Sequence, residues 1–203
     1  MQKILEKIIK NNWEGAYYNT QYNELPWERN KPENELIRLI KEKKIKGKVL
    51  DLGCGAGTQS IYLDKNGFKV TGLDISENAI KIAKQRANKE KVKINFIVGN
   101  AFDLKFKDKT FNFIFDRGCF HHIPIPYRNN FVRGIYRVLM NKGKYHLMCF
   151  SNTNKWFQEN LFSLKKINKY FGKYFDIIEE REIMHKQPDG FKVYLRSVLM
   201  SKK

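Results

Sequence analysis

Residues 49–57 read Val-Leu-Asp-Leu-Gly-Cys-Gly-Ala-Gly, and this stretch decides the fold. Its apolar half completes a short strand, Lys48–Leu52, that runs into a glycine-rich turn at Gly53–Gly57. A helix over about Thr58–Asn66 follows, closed by Gly67. In an open α/β sheet ligands bind beyond the carboxyl ends of the strands, and glycines there let the backbone approach them closely. The spacing Gly53, Gly55, Gly57 is GxGxG, not the GxGxxG that cradles a dinucleotide pyrophosphate. Asp51, just before the glycines, would repel a phosphate and suits a ligand carrying positive charge. Glycine turns often do nothing but turn. Here a second strand, Lys69–Leu73, leads into Asp74, where a carboxylate can accept two ribose hydroxyls, and the combination reads as a ligand site.

Outward from this turn, strand and helix patterns alternate. Upstream, Pro32 is expected to open a helix that buries Leu36, Ile37, Leu39 and Ile40 and ends at Gly47. Residues 1–31 read as a short helix followed by an irregular aromatic segment containing Trp13, Tyr17, Tyr18, Tyr22 and Trp27. Downstream, Ser76 is placed to cap a helix reaching about Lys89, with Ile80, Ile82 and Ala83 inward. Strands are expected at Lys93–Val98 and Phe111–Asp116, a helix at Arg128–Met140, and a turn at Asn141–Gly143 into a strand at Lys144–Phe150. Residues 151–162 read as a loop with a partial helix, and Ser163–Phe171 as a short helix ended by Gly172. Two closing strands, about Phe175–Met184 and Phe191–Met200, are joined by a turn with Pro188 and Gly190, an antiparallel pair at a sheet edge. The sum is a three-layer, Rossmann-like α/β domain on a mostly parallel sheet.

Composition excludes several classes. The chain has 203 residues, enough for one domain, and 42% hydrophobic and 14% aromatic content can bury a core. No apolar run approaches the ~20 residues of a membrane span, and the Lys-rich N-terminus lacks an export signal's apolar core. Three cysteines, Cys54, Cys119 and Cys149, form neither a disulfide framework nor a metal-binding spacing, so a cytoplasmic protein without metal is expected. The formal charge of +18 raises nucleic acid as a partner. Lysine supplies 30 of the 39 basic residues, however, and arginine, which reads bases bidentately, only nine. Scattered surface basicity is the favoured reading.

VLDLGCGAG together with Thr71-Gly72-Leu73-Asp74-Ile75-Ser76 resembles the class I S-adenosylmethionine-dependent methyltransferases over about residues 32–150. The resemblance implies a seven-stranded sheet with its last strand antiparallel, S-adenosyl-L-methionine as cofactor and S-adenosyl-L-homocysteine as product. The cofactor's ammonium and sulfonium suit Asp51. It also implies Asp51, Gly53, Gly55 and Gly57 around the methionine part, Asp74 on the ribose, Asn100 with Ala101 at the adenine amino group, and Ile75 and Phe102 beside the ring. Ordinary core packing is an equal reading of Phe102.

The fourth strand ends in Phe115-Asp116-Arg117-Gly118-Cys119-Phe120-His121-His122, without the Asn/Asp-Pro-Pro-aromatic tetrad of enzymes that methylate exocyclic base amines. Asp116-Arg117-Gly118, with Pro26-Trp27 upstream, is similar to the thiopurine S-methyltransferase and tellurite-resistance group. In that group an N-terminal segment folds over the cofactor, which implies a lid over residues 1–31, with Trp27 closing the pocket, on a methyltransferase domain over 32–203. Trp27 as an anchor for the arm is the equal alternative. Asp116 and Arg117 are candidates for holding cofactor or substrate, with a mutual bridge as the alternative, and His121 or His122 for proton transfer. A small-molecule acceptor with a soft sulfur or chalcogen nucleophile is expected, taken by a monomer into a pocket built from the N-terminal thirty residues, the loop at 117–127 and residues 151–162. The alternatives are an RNA or protein acceptor served by the basic surface, and a non-catalytic cofactor-binding regulatory domain.

Overall fold

The computed structural model describes residues 2–155, 158–186 and 190–203. The elements run α1 (Gln2–Asn19), α2 (Asn34–Lys41), β1 (Lys48–Leu52), α3 (Thr58–Lys65), β2 (Lys69–Asp74), α4 (Glu77–Lys89), β3 (Asn95–Val98), β4 (Phe111–Arg117), α5 (Ile125–Val138), β5 (Leu139–Phe150), α6 (Leu164–Phe171), β6 (Phe175–Lys186) and β7 (Lys192–Lys202). The strands form a seven-stranded sheet in the order β3-β2-β1-β4-β5-β7-β6. The chain divides into two compact units, residues 1–101 and 102–203.

In the first unit β1, β2 and β3 pair in parallel, Asp51 standing beside Gly72 and Asp74 beside Val98. Cys54, Ile61, Ile80, Ala83, Ala87 and Phe96 form one apolar cluster of this unit. Helix α3 is stopped as its sequence dictates. Gly67 takes φ +82°, its amide reaches the Asp64 carbonyl at 2.9 Å and that of Phe68 reaches Leu63 at 3.2 Å, a Schellman motif. Ser76 caps α4, its hydroxyl accepting from the Ala79 amide at 3.0 Å.

Three expectations for this unit shift. The N-terminal helix is 18 residues long rather than short, because Lys10 pairs with Glu77 at 2.6 Å and Glu14 accepts from the Ser76 hydroxyl and the Asn78 amide, tying α1 to the start of α4. Helix α2 begins after Pro32, with extended Glu33 at its N-cap. It ends at Lys41, not Gly47: Lys43 takes φ +54°, and the amides of Lys43 and Lys44 close a Schellman motif on Ile40 and Leu39. Gly47, at φ +64°, only turns the chain into β1.

In the second unit β4 and β5 are parallel, and β7 lies antiparallel to both β5 and β6. Its core is aromatic: Phe120 meets Phe131, Phe162 and Phe171 at centroid distances of 5.3, 5.1 and 4.9 Å. Helix α5 starts at Ile125 and hands directly to β5 at Leu139, so the turn expected at Asn141–Gly143 is instead a bulge inside the strand. There Lys142 takes φ +59° and the register moves from Phe111–Leu139 to Phe113–Lys144. Ser163 and Gly172 cap α6 as its sequence implies. Ser151 bridges to Phe162, and a short 3₁₀ turn lies at Gln158–Asn160. Pro188 lies outside the described residues. Among the described residues no helix is long and apolar enough to cross a membrane.

Gly57 and Gly67 flank α3, both in the left-handed region, but a Cβ on Gly57 would stand 2.9 Å from the Phe96 ring and 3.0 Å from the Ala83 Cβ, whereas one on Gly67 meets nothing within 4 Å. Gly67→Ala is expected to cost about 1 kcal/mol and Gly57→Ala about 3 kcal/mol, the difference being the clash. Urea unfolding midpoints of the two variants check the order.

Candidate active site

Beyond β1 the glycine loop folds tightly, with φ of +69°, +51° and +79° at Gly53, Gly55 and Gly57. The amides of Gly53 and Cys54 both donate to the Leu73 carbonyl, at 2.8 and 3.1 Å, so the loop is pinned to the end of β2. Asp51 is buried and its carboxylate accepts from the Ser60 hydroxyl at 2.6 Å. Asp74 accepts the Gly55 amide on one oxygen at 2.8 Å and the Ser76 amide on the other at 3.0 Å. One carboxylate thus joins the glycine loop to the start of α4. Ile75, between Asp74 and Ser76, is half-buried; so is Asn100, and Ala101 beside it is buried.

Sequence reasoning missed Glu28. Its carboxylate accepts the Ala56 amide at 3.0 Å and the Tyr17 hydroxyl at 3.3 Å on one oxygen, and the Thr58 hydroxyl at 3.2 Å on the other. Twenty-eight residues separate Glu28 from Ala56, and no local pattern marks such a contact. The indole of Trp27 donates to the Tyr17 oxygen at 2.9 Å and packs edge-on against Trp13, with ring centroids 5.3 Å apart. Tyr17 and Leu25 are buried with Ala56 and Ala79, and Trp27 packs against that group. The N-terminal arm therefore covers the glycine loop: a Cβ on Gly55 would stand 2.4 Å from the Tyr17 hydroxyl and 2.7 Å from a Glu28 oxygen. Arg86 secures the opposite side of the turn, donating to the Ala56 carbonyl at 2.7 Å and the Thr58 hydroxyl at 2.8 Å.

The electrostatics of this cleft are one-sided. Burial pushes Asp51 up to about 7 against the lowering effect of the Ser60 hydrogen bond, and the charges of Glu28 and Asp74 push it further. Asp74 rises to about 6, again chiefly through burial, opposed by the Ser76 and Gly55 amides and assisted by Glu28. Burial and the same two acids, Glu28 and Asp74, raise the Tyr17 phenol. A loop closed to side chains at Gly55 and Gly57, with carboxylates at both strand ends, fits a cofactor that carries positive charge beside a ribose, as S-adenosylmethionine does. Asp51, the loop glycines and Asp74 are the residues that would hold it.

The other candidates lie in the second unit. Phe102 stacks on Tyr127, with ring centroids 4.5 Å apart. Asp116 is fully buried. It accepts the Cys119 amide at 2.8 Å, the Phe120 amide at 3.2 Å and the Tyr145 hydroxyl at 2.7 Å, holding the loop after β4 in its turn. Arg117 and Cys119 are half-buried on that turn, where Gly118 takes φ +92°. His121 is buried, stacked on Phe150 at 3.9 Å, and its Nδ1 accepts the Phe150 amide at 3.1 Å. Burial, with the neighbouring His122, Arg117 and Arg128, holds His121 well below its ordinary value. The ring is neutral with its proton on Nε2, a donor rather than a base. His122 is exposed. Arg128, unremarked in the sequence, is buried beneath this loop, donating to the Ile123 carbonyl at 2.9 Å and to Asn160 at 2.9 Å. Among the described residues no group of three or more His, Cys, Asp or Glu is placed to hold a metal ion.

Comparison with known proteins points to one family. Residues 49–143 match the family described as a methyltransferase domain. The chain is 28% identical over 151 residues to the 2-heptyl-1-hydroxyquinolin-4(1H)-one methyltransferase of Mycobacteroides abscessus, covering 74% of this chain and 66% of that protein, just under two thirds of its length. It is 32% identical over 119 residues to an uncharacterized methyltransferase of Schizosaccharomyces pombe, covering 59% of this chain and 82% of the other. Among solved structures, a protein studied for the conversion of a disulfide bond into a thioacetal group during echinomycin biosynthesis superimposes with a TM-score of 0.86 at 20% identity, over 96% of this chain and 92% of that one. The 1,6-didemethyltoxoflavin-N1-methyltransferase of Burkholderia thailandensis, with S-adenosylhomocysteine bound, gives 0.78 at 16% identity, over 97% and 88%. At these identities the two structures speak for the fold.

The raised carboxyls make a measurable signature. Asp51 binds its proton more tightly folded than unfolded, so the stability it contributes is full below about pH 4 and is lost as pH rises towards 7, at about 1.4 kcal/mol per pH unit. His121 acts in the opposite sense, its contribution being present above its ordinary value near 6.5 and lost as pH falls. The difference between the cofactor-free protein and Asp51→Asn isolates the first effect. The melting temperature of the variant minus that of the parent is expected to increase from pH 5 to pH 8 by several degrees, read by circular dichroism. A difference independent of pH would contradict a protonated, desolvated Asp51.

Proposed function

Since the chain belongs to the S-adenosylmethionine-dependent methyltransferases, we propose that it transfers the methyl group to a small-molecule acceptor through a soft sulfur or chalcogen atom. The cofactor supplies an activated methyl on a sulfonium, and the protein's task is to align an acceptor with it and to exclude water; alignment of this kind is worth roughly 7–11 kcal/mol. The observation that carries the acceptor class is the state of the loop after β4. Asp116 spends its carboxylate on two amides and the Tyr145 phenol, and His121 spends its only free lone pair on the Phe150 amide. The two buried candidates are thereby committed as scaffold and donor. A thiol near its ordinary pKa of about 8.5 brings a reactive thiolate without help, whereas an aliphatic hydroxyl needs a matched base. His121 Nε2–H can orient an anionic acceptor, and Arg117 on the same turn can add positive charge.

In this reading residues 1–31 are the lid and 32–203 the methyltransferase domain, Asp51, Gly53, Gly55, Gly57 and Asp74 hold the cofactor's amino acid and ribose, and Ile75, Asn100 and Ala101 lie toward its base. The lid is supported by the hydrogen bonds that join Trp27 to Tyr17 and Glu28 to the glycine loop. The small-molecule class is supported by the hydroxyquinolone methyltransferase and by a second kind of relative, ubiquinone-biosynthesis O-methyltransferases. The second name gives a specific ground for an oxygen acceptor, for which His122 is the remaining histidine of the loop.

The test is turnover with methyl-labelled cofactor against three acceptors in parallel: an aromatic thiol, a 2-alkyl-1-hydroxyquinolin-4-one and bulk RNA. Label on the thiol is expected, with a rate that follows the thiol's own ionisation and with His122→Gln within threefold of the parent. Label on the hydroxyquinolone alone, lost in His122→Gln, would establish the oxygen reading. Label in RNA alone would overturn the small-molecule class.

A further inference from the structure

Asp51, Asp74 and Glu28 surround the same five residues of the glycine loop, and among the described residues each is bonded only to neutral donors. Asp51 has the Ser60 hydroxyl; Asp74 has the amides of Gly55 and Ser76; Glu28 has the Ala56 amide, the Thr58 hydroxyl and the Tyr17 phenol. The chain carries 39 Lys and Arg against 21 Asp and Glu, yet among the described residues none of these cations is spent on the three carboxylates. The nearest, Arg86, is turned to the Ala56 carbonyl, the Thr58 hydroxyl and the Tyr22 ring. Negative charge is thus concentrated in one cleft of a strongly basic protein. Two of its members are built into strand ends, but the third is delivered by the arm, with an oxygen 2.7 Å from the position a Gly55 Cβ would occupy.

We propose that Glu28 is a cofactor-binding residue: closing the N-terminal arm brings its carboxylate over the glycine loop as the counter-charge for the ammonium of the cofactor's amino-acid end. Its other contacts fix it there. The Ala56 amide, just before the N-cap of α3, and the Thr58 hydroxyl in its first turn hold the two oxygens, while Tyr17, itself anchored by the Trp27 indole, braces one of them from the arm. Fixing the carboxylate before the ligand arrives reduces the side-chain ordering that binding would otherwise require. The arm then does more than cover the pocket, because cofactor and arm each hold the other in place. The inference rests on the family's cofactor and is independent of which acceptor is methylated.

The experiment compares two ligands that share the thioadenosine part and differ in the amino-acid end. S-adenosylhomocysteine carries the ammonium; 5′-methylthioadenosine does not. Dissociation constants for both are measured by titration calorimetry on the full chain and on Glu28→Gln, which keeps the shape and most of the hydrogen bonds and removes the charge. The expected result is an approximately tenfold loss for S-adenosylhomocysteine, with 5′-methylthioadenosine within twofold of the parent. Equal losses for the two ligands would mean that Glu28 acts through the packing of the arm and would overturn the proposal. So would unchanged or tighter binding of S-adenosylhomocysteine, the second identifying Glu28 as a plug that the ligand must displace. Because each comparison is made within one protein sample, a generally weakened variant gives the equal-loss result and cannot pass for the expected one.

Discussion

The carboxylate of Asp74 is the constraint on which the glycine-loop cleft depends. It lies at the end of β2, with one oxygen on the Gly55 amide and the other on the Ser76 amide. Those amides belong to two different loops, the glycine turn after β1 and the entry to α4. An uncharged side chain of the same length could satisfy one of them, but not both with charge-assisted bonds. Everything placed by the turn inherits this attachment: the start of α3, the Ala56 amide and Thr58 hydroxyl that receive Glu28, and the Arg86 contact behind them. The Ser76 cap inherits it too, and through Glu14, so does the docking of α1.

Such an arrangement is costly in the absence of a cation. Asp51 and Asp74 are buried and rise to about 7 and about 6, and Glu28 adds to both shifts. A protein selected for stability alone would replace one of these groups, since burying charge without a partner is unfavourable. Their persistence in one cleft is understood if the cleft is completed by a positively charged ligand, which returns part of that cost as affinity. Cofactor recognition and local instability are then two views of one arrangement, and the arm that closes over the loop adds to both.

What could be read in the sequence was whatever is enforced locally. The bounds of β1, the Ser76 cap, the Schellman stop at Gly67 and the Ser163 and Gly172 caps of α6 follow from side chains acting within a few residues of themselves. The departures share a cause of the opposite kind. The length of α1 depends on Lys10 and Glu14 meeting α4 more than sixty residues away, and α2 ends at Lys41 through Lys43, a lysine in a conformation for which glycine is the usual signal. The bulge at Lys142 likewise replaced a turn because β5 had to pair with β4 from Leu139 onward. In the site, Asp51 and Asp74 were legible because a motif places them at strand ends. Glu28 was not, being one acidic residue among several in an irregular segment until the arm folds back.

The loop after β4 shows how misleading residue type alone can be. Asp116, Arg117, His121 and His122 in sequence resemble a catalytic cluster, four groups able to move protons or hold charge. Folded, the acid is a cap, buried under the Tyr145 phenol, and the first histidine is a neutral ring stacked on Phe150 with one nitrogen committed to the backbone. Arg128 beneath them spends its guanidinium on a carbonyl and an amide side chain, within 5.0 Å of the Phe162 ring. Rigidity is what this loop acquires from its polar residues. In the reading proposed above that is an appropriate use, because the barrier to methyl transfer is lowered mainly by holding two reacting atoms in line.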